Sequence, residues 1–285
     1  MPPAAAVLYG CITHVEPWFE LPDDVALIRL GAAQDGAVAG HTLRELAPQW
    51  EPFHPVIGGA AGSFALKALL LRQAVRPAFV GVCQYRKFVS PGRVSETRAR
   101  GYKVMDAVPR EQVTRAALEG WLQQPGPHGF LVCPPFSMHR EAGYLGQYGT
   151  HHHAEDLLRF TAEAVVQGAL SGREAAEFMR EPVFFPGGIE LGVYPADFWL
   201  EGIDAIERVI EACVRRYPTA RTGTQGRVWA YCAERLGSWQ LVREFRRRQP
   251  CAGIRRLEIA RWRQRFAGRM NLVVEAGESR YQVGQ

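Results

Sequence analysis

Short, nearly continuous apolar runs alternate along this chain with longer stretches whose apolar residues recur at helical spacing. Val25–Leu30 (VALIRL) and Phe79–Cys83 (FVGVC) have the pattern of strands covered on both faces. Ala5–Thr13 (AAVLYGCIT) and Gly129–Cys133 (GFLVC) read the same way, and Pro182–Val193 carries a strand-like stretch around two glycines. From Ser63, a fair N-cap, through Val75 the chain places Phe64, Leu66, Ala68, Leu69 and Leu71 on a helix. Arg110–Gln123, Ala154–Leu170, Ser171–Arg180, Pro195–Arg216 and Arg227–Arg248 predict further helices, with Pro195 suited to a first turn. Gly36–Gly62, with Pro48, Pro52, Pro55 and the Gly58-Gly59 pair, reads as a loop over the sheet, and Val94–Val108 as polar loop. The alternation predicts an α/β, Rossmann-like fold: a mostly parallel sheet flanked by helices, with a helical, basic C-terminal part.

Composition narrows the class. A chain of 285 residues can bury a sizeable core. The first residues, MPPAAAVLYG, lack the basic start of a signal peptide, and no run of about 18 apolar residues predicts a membrane span. The six cysteines, Cys11, Cys83, Cys133, Cys213, Cys232 and Cys251, are scattered without a CxxC pair, and read as buried thiols of a reducing cytoplasm. No GxGxxG opens a helix after the first strand, no GxxxxGK[ST] occurs, and Gly62-Ser63 does not complete a GxSxG. Dinucleotide, P-loop and serine-hydrolase chemistry are therefore unsupported.

The net charge of +5 is unevenly spread. Residues 240–270 hold ten arginines against two glutamates, Glu244 and Glu258. Trp239, Leu241, Phe245, Ile254, Leu257, Ile259, Trp262 and Phe266 interleave with them. Such a stretch fits an anionic membrane surface, a helical pair packed on the domain with its arginines solvated, or nucleic acid. No helix-turn-helix, zinc-finger or RNP-like pattern supports nucleic acid. These features divide the chain into a domain over 1–239 and an Arg-rich helical extension over 240–285 packed on it.

Candidate chemistry gathers in three places. The buried run FVGVC ends in Gln84-Tyr85-Arg86-Lys87, and ligands of open α/β sheets bind at the carboxyl ends of strands. Two adjacent cations there point to an anion such as a diphosphate, or to a solvated basic turn. His152 and His153 precede Asp156, which falls in the first turn of a helix. On a helix His152 and Asp156 share one face, a spacing that serves a metal, an acceptor, a base with its orienting carboxylate, or a surface cluster. Glu190 follows Gly187 and Gly188, which let a substrate approach the backbone, and strand alternation turns it away from Ile189 and Leu191, into a cleft or into solvent. Glu234-Arg235 reads as a buried ion pair that positions a helix or as an acceptor-side pair, with Glu234 a further candidate base for the acceptor hydroxyl.

Five segments, in order, carry a resemblance: Ile12-Thr13-His14, GVCQYRKF at Gly81–Phe88, QYGTHHHAEDL at Gln147–Leu157, PGGIELGVYPADFW at Pro186–Trp199, and AERLGSW at Ala233–Trp239. They resemble the bacterial family of capsular and exopolysaccharide-cluster domains with a GLCHYRRYF-like motif, regarded as glycosyltransferases. The likeness spans roughly residues 7–240. Gln84 and Lys87 depart from the family's histidine and arginine, and Pro186-Gly187-Gly188 stands where the family often has asparagine.

The resemblance implies a GT-A-like transferase that moves a sugar from a nucleotide-sugar donor, a UDP-sugar as first expectation, to a saccharide or lipid-linked acceptor. It implies a cytoplasmic protein that could sit peripherally at the inner face of the plasma membrane. On fold analogy Thr13 and His14 lie at the donor's base and ribose. Arg86 and Lys87 stand where such enzymes carry a metal-binding Asp-x-Asp, so the expectation is cationic neutralisation of the donor diphosphate without a divalent metal or other cofactor. Asp156, His152 and Glu190 are the candidate catalytic residues, with Gln84 and Tyr85 donor-side. His153, Gly187, Gly188, Glu234 and Arg235 are acceptor-side or structural. The rival classes are a non-catalytic nucleotide- or carbohydrate-binding protein, and a nucleic-acid binder that uses the Arg-rich C-terminus.

Overall fold

The computed structural model describes residues 7–36, 39–100, 104–122, 125–126, 128–138, 143–218, 221–249 and 255–275. Cys251, Ile254, Gln123 and the first two residues of the expected strand Ala5–Thr13 lie outside them. The strands are β1 (Val7–Thr13), β2 (Val25–Arg29), β3 (His41–Thr42), β4 (Phe79–Gln84), β5 (Lys87–Ser90), β6 (Met105–Pro109), β7 (Leu131–Val132), β8 (Phe136–Ser137), β9 (Val183–Phe184), β10 (Gly192–Pro195) and β11 (Arg269–Val274). The helices are α1 (Leu43–Leu46), α2 (His54–Ile57), α3 (Ala60–Leu71), α4 (Arg115–Leu122), α5 (Gly143–His151), α6 (Ala154–Val166), α7 (Gly172–Arg180), α8 (Ala196–Arg216), α9 (Val228–Arg248) and α10 (Arg255–Arg265).

The main sheet runs β3-β2-β1-β4-β5-β11-β6, with β10 also on β4 and β7 on β10. Its run β3-β2-β1-β4 is parallel throughout, as is the β11–β6 pair, and β5 and β10 add antiparallel pairings. The α/β class is the one the alternating pattern predicts. Strands buried on both faces feed two cores. Ile12, Ile28, Val80 and Val82 face a helical layer with Phe64, Leu66, Trp199 and Trp229. Their neighbours Cys11, Leu27 and Cys83 turn to the other face, against Phe88, Leu118 and Leu272. On α8, Trp199, Ile203, Ile206, Ile210 and Cys213 form the buried stripe that its periodicity predicts. Ser171 and Glu174 close a capping box at the start of α7, which contributes about 1 kcal/mol.

Three differences from the sequence reading bear on the site. The helix expected from Ser63 starts one turn earlier, at Ala60, directly after the Gly58-Gly59 turn. The expected loop Gly36–Gly62 holds the short helices α1 and α2 and a 3-10 turn at Pro48–Phe53, where each proline breaks the chain into pieces of a few residues. The boundary expected at 239/240 falls inside α9, which runs unbroken to Arg248, and the segment beyond is not wholly helical. Its β11 lies between β5 and β6, where Arg269 makes a two-pronged ion pair with the buried Asp106 at 2.7–2.9 Å.

Candidate functional site

The carboxyl ends of β1 and β4, adjacent parallel strands, carry Thr13, His14 and the Gln84–Lys87 cluster. Gln84 and Lys87 pair across a two-residue hairpin whose tip is Tyr85-Arg86, so this cluster is a turn held between strands rather than a free basic loop. The tip is anchored from three sides. Tyr85 N–H donates to Ile12, Trp18 N–H donates to the Tyr85 carbonyl, and Val273 N–H donates to the Arg86 carbonyl. The Arg86 guanidinium lies over the Tyr85 and Trp18 rings at 5.2 and 5.6 Å. His14 meets Tyr85 edge-on at 4.9 Å between ring centres. Thr13 is buried and folds its hydroxyl back onto the backbone of Val15.

Glu190 comes to the same place from a different element. It lies in the turn between β9 and β10 rather than in a strand, so alternation does not set its direction. Gly187 and Gly188 have φ of 77° and 52°, and this double left-handed step seats the turn on the backbone of α9. A Cβ on Gly188 would sit 2.7 Å from the Glu234 carbonyl oxygen, and one on Gly237 2.9 Å from the Ile189 nitrogen. Trp199 Nε1 donates to the Ile189 carbonyl at 3.0 Å, and Ser238 Oγ accepts from Phe185 N–H at 2.9 Å. The turn leaves Glu190 9% exposed, with Oε1 lacking a hydrogen-bond partner among the described residues. Its Oε2 would lie 3.5 Å from a Cβ on Gly59, with Gln84 Nε2 3.8 Å from the same point. Burial, then the charge of Glu234, pushes the Glu190 carboxyl up to about 8. Glu234 itself accepts the Gly187 N–H at 2.7 Å. Burial raises the Cys133 thiol; Glu234 adds to that rise and Lys87 opposes it.

Two residues that the sequence did not single out act on His14. His54 opens α2 and Arg227 precedes α9. The Arg227 stem lies against the Gly58 turn, 3.8 Å from a Cβ built there. Burial first, then Arg227, His54 and Arg86, holds the His14 imidazole down at about 4. Burial and Arg227 lower His54 as well. The only local signals for them were the Gly-Gly pair before a helix and a basic residue before an amphipathic one.

The histidine run is built differently from its expected helix face. His151 ends α5, His152 and His153 lie between helices, and α6 starts at Ala154, so His152 and Asp156 do not share one helix. His152 stacks on Tyr231 at 4.2 Å, and its Nδ1 lies 3.1 Å from Gln225 Oε1. Burial holds its imidazole at about 4. His153 is exposed at the start of α6. Asp156 is buried and accepts from Arg221 at 3.0 Å. Arg235 is buried across Tyr148 at 4.9 Å, donates to the Tyr231 carbonyl and Gln147, and lies 3.7 Å from Glu234. Among the described residues no group of three or more His, Cys, Asp or Glu gathers as a metal site.

The chain has a glycosyltransferase-like fold. It superposes on the apo structure of WbbM, a bifunctional glycosyltransferase, with a TM-score of 0.66 and 11% identity, over 95% of this chain and 46% of that one. The chain thus spans about half the length of the structure it matches. No family model matches the chain, and no curated protein sequence does.

Proposed function

We propose that the protein transfers a sugar from a nucleotide-sugar donor to a saccharide or lipid-linked acceptor. The observation that carries this reading is the convergence of Gln84, Arg86, Glu190 and Glu234 around the carboxyl ends of β1 and β4, on a glycosyltransferase-like sheet. In this reading the donor lies over the Tyr85-Arg86 tip and the Gly58-Gly59 turn. Glu190, ionised, takes the proton of the acceptor hydroxyl. The acceptor oxygen then bonds to the anomeric carbon while the bond to the phosphate oxygen breaks and a nucleoside diphosphate leaves. A base that titrates near the working pH suits this step. Arg86 and Lys87 offset the leaving-group charge, which keeps divalent metal outside the scheme.

Asp156 and His152 take positioning roles here, because Arg221 occupies the first and Tyr231 with Gln225 the second. Membrane contact through the arginines is a weaker part of the reading. Arg246 pairs with Glu181 and Glu258, and Arg247 and Arg248 pair with Glu244, so part of the stretch is neutralised within the fold. Among the described residues no helix is long and apolar enough to cross a membrane.

The test is nucleotide release across UDP-, GDP-, CMP- and dTDP-sugars, with and without EDTA. Release from one donor family, insensitive to EDTA, supports the reading. Activity lost in EDTA and restored by metal removes its metal-free form. Specific binding of one nucleotide sugar without any transfer turns it into a binding protein.

A further inference from the structure

We propose that the cavity between α7 and α9 binds an amphipathic phosphodiester, the chemistry of an anionic phospholipid head with the first part of its chains. The proposal does not rest on the transferase reading, because none of the residues that carry that reading lines the cavity. On α7, Arg173, Ala176, Glu177 and Arg180 are three and four residues apart and share one face. On α9, Trp239 and Arg246 are seven apart and share one stripe, about 140° around the helix from Glu234. Glu181 and Pro182, just past the end of α7, complete the lining. The volume between these residues is about 480 Å³, inside the ~300–1,000 Å³ of small-ligand sites.

The polar groups of this cavity do not satisfy one another, and what is left over has one character. Glu177 is taken by Arg173 at 3.0 Å. Glu181 is taken by Arg246 at 2.7 Å, and Arg246 also meets Glu258 at 3.3 Å. Both carboxylates of the lining therefore have their cation, and two donors remain. Arg180 is exposed and has no acidic partner among the described residues. Trp239 is 3% exposed, and its Nε1 has no acceptor among them. An indole N–H and a guanidinium can only donate, and a buried donor without a partner costs stability that a bound acceptor restores. One positive charge and one neutral donor match a monoanion with more than one free oxygen. A phosphodiester carries a single charge over two such oxygens, and the planar fork of arginine suits it. The rest of the lining is apolar. Ala176, Pro182 and the indole, packed edge-on against Phe178 at 6.3 Å, favour a ligand with a hydrocarbon part over a bare inorganic ion.

The probe is dihexanoyl phosphatidylglycerol, held below its micelle concentration and titrated into the full chain by calorimetry, with inorganic phosphate and octanoate as comparisons. Wild type is expected to bind it more tightly than either. Arg180→Gln is expected to weaken it about tenfold, the effect of one charge-assisted contact. Trp239→Phe keeps an apolar ring, removes the donor, and is expected to weaken it severalfold. Arg215→Gln, at an exposed arginine of α8 outside the cavity, is expected to change nothing. Arg180 is exposed, so its replacement decides the matter if the Trp239 variant does not fold. No binding to wild type, equal affinity for phosphate or octanoate, unchanged binding in Arg180→Gln, or an equal loss in Arg215→Gln overturns the site. Flotation with phosphatidylcholine vesicles that contain phosphatidylglycerol then separates the two sources of such a head. Flotation that Arg180→Gln abolishes assigns the cavity to a bilayer lipid, and binding of the soluble lipid without flotation assigns it to a free amphiphile.

Discussion

Glu190 and Glu234 are joined through a single residue: Gly187 donates its N–H to Glu234 Oε1 at 2.7 Å and accepts the Glu190 N–H on its carbonyl at 2.8 Å. One carboxylate is fixed by the backbone, and its charge adds to burial in raising the neighbouring carboxyl. Environments that treat two carboxyls differently are a recurring way to assign acid and base work on one fold.

The first prediction separates the two roles. Glu190→Gln is expected to lower kcat by about 10²- to 10⁴-fold with donor KM little changed, the range for loss of a general base. Glu234→Gln removes the smaller of the two causes that raise Glu190 and leaves its burial, so the pH–rate profile of the residual activity shifts part of the way to lower pH. Steady-state kinetics from pH 6 to 9 read both. A Glu234→Gln profile at the wild-type position would refute the coupling.

Stability should carry the same signature. Glu190 titrates at about 8 when folded and near the ordinary 4.5 of a glutamate when unfolded. Between those values the folded state holds a proton that the unfolded state has released. Its contribution to stability is fully present below pH 4.5 and is lost as pH rises through about 8. The full span is of the order of a few kcal/mol. Urea unfolding of wild type and Glu190→Gln across pH 5–9 should therefore show curves that converge in slope only above pH 8. Parallel curves over the whole range would mean that Glu190 is ionised in the fold.

Much of the frame is legible from residue order, and the reason is local. FVGVC reads as a strand because both its faces are covered, and α7 and α8 read as helices because a cap or an apolar stripe announces them. The site is legible only where one segment carries it, as in Gln84–Lys87. Arg227 reaches the site by packing on the Gly58 turn, and His54 by packing beside Gly31, tertiary contacts with no sequence period. The His152–Asp156 spacing misleads because helical spacing says nothing where the helix stops, and α5 stops at His151. Strands β6 and β11 are hidden because MDAVP and RMNLVV each support the other in the sheet, inside a polar loop and an Arg-rich tail.

Gly188→Ala tests the turn itself. Its φ of 52° and the 2.7 Å approach to the Glu234 carbonyl leave no room for a methyl group. Expected is a loss of about 2–4 kcal/mol in chemical denaturation, since backbone strain and a clash with the helix backbone act together. Activity of the folded fraction should fall as well, because Glu190 is carried by this turn. Gly172→Ala, where a Cβ would meet open space, is the control and should change neither.

The C-terminal segment gives the last prediction, since its two readings demand opposite outcomes. A detachable basic extension could be removed at residue 240 with the sheet intact and only surface binding lost. The structure ties it in three ways. Its β11 supplies hydrogen bonds to both β5 and β6, Arg269 neutralises the buried Asp106, and Phe245 and Phe266 stack at 4.0 Å within the helical core. A chain ending at 239 would leave β5 and β6 without the strand between them and Asp106 charged and unpaired. Breaking such a pair alone costs about 3–5 kcal/mol, a large share of a domain's net stability. The truncated chain is therefore expected to be insoluble or to lose its cooperative thermal transition, and Asp106→Asn to lower the midpoint of the full chain. A soluble 1–239 fragment with a cooperative transition would restore the detachable extension, and with it the case for a tail devoted to a surface.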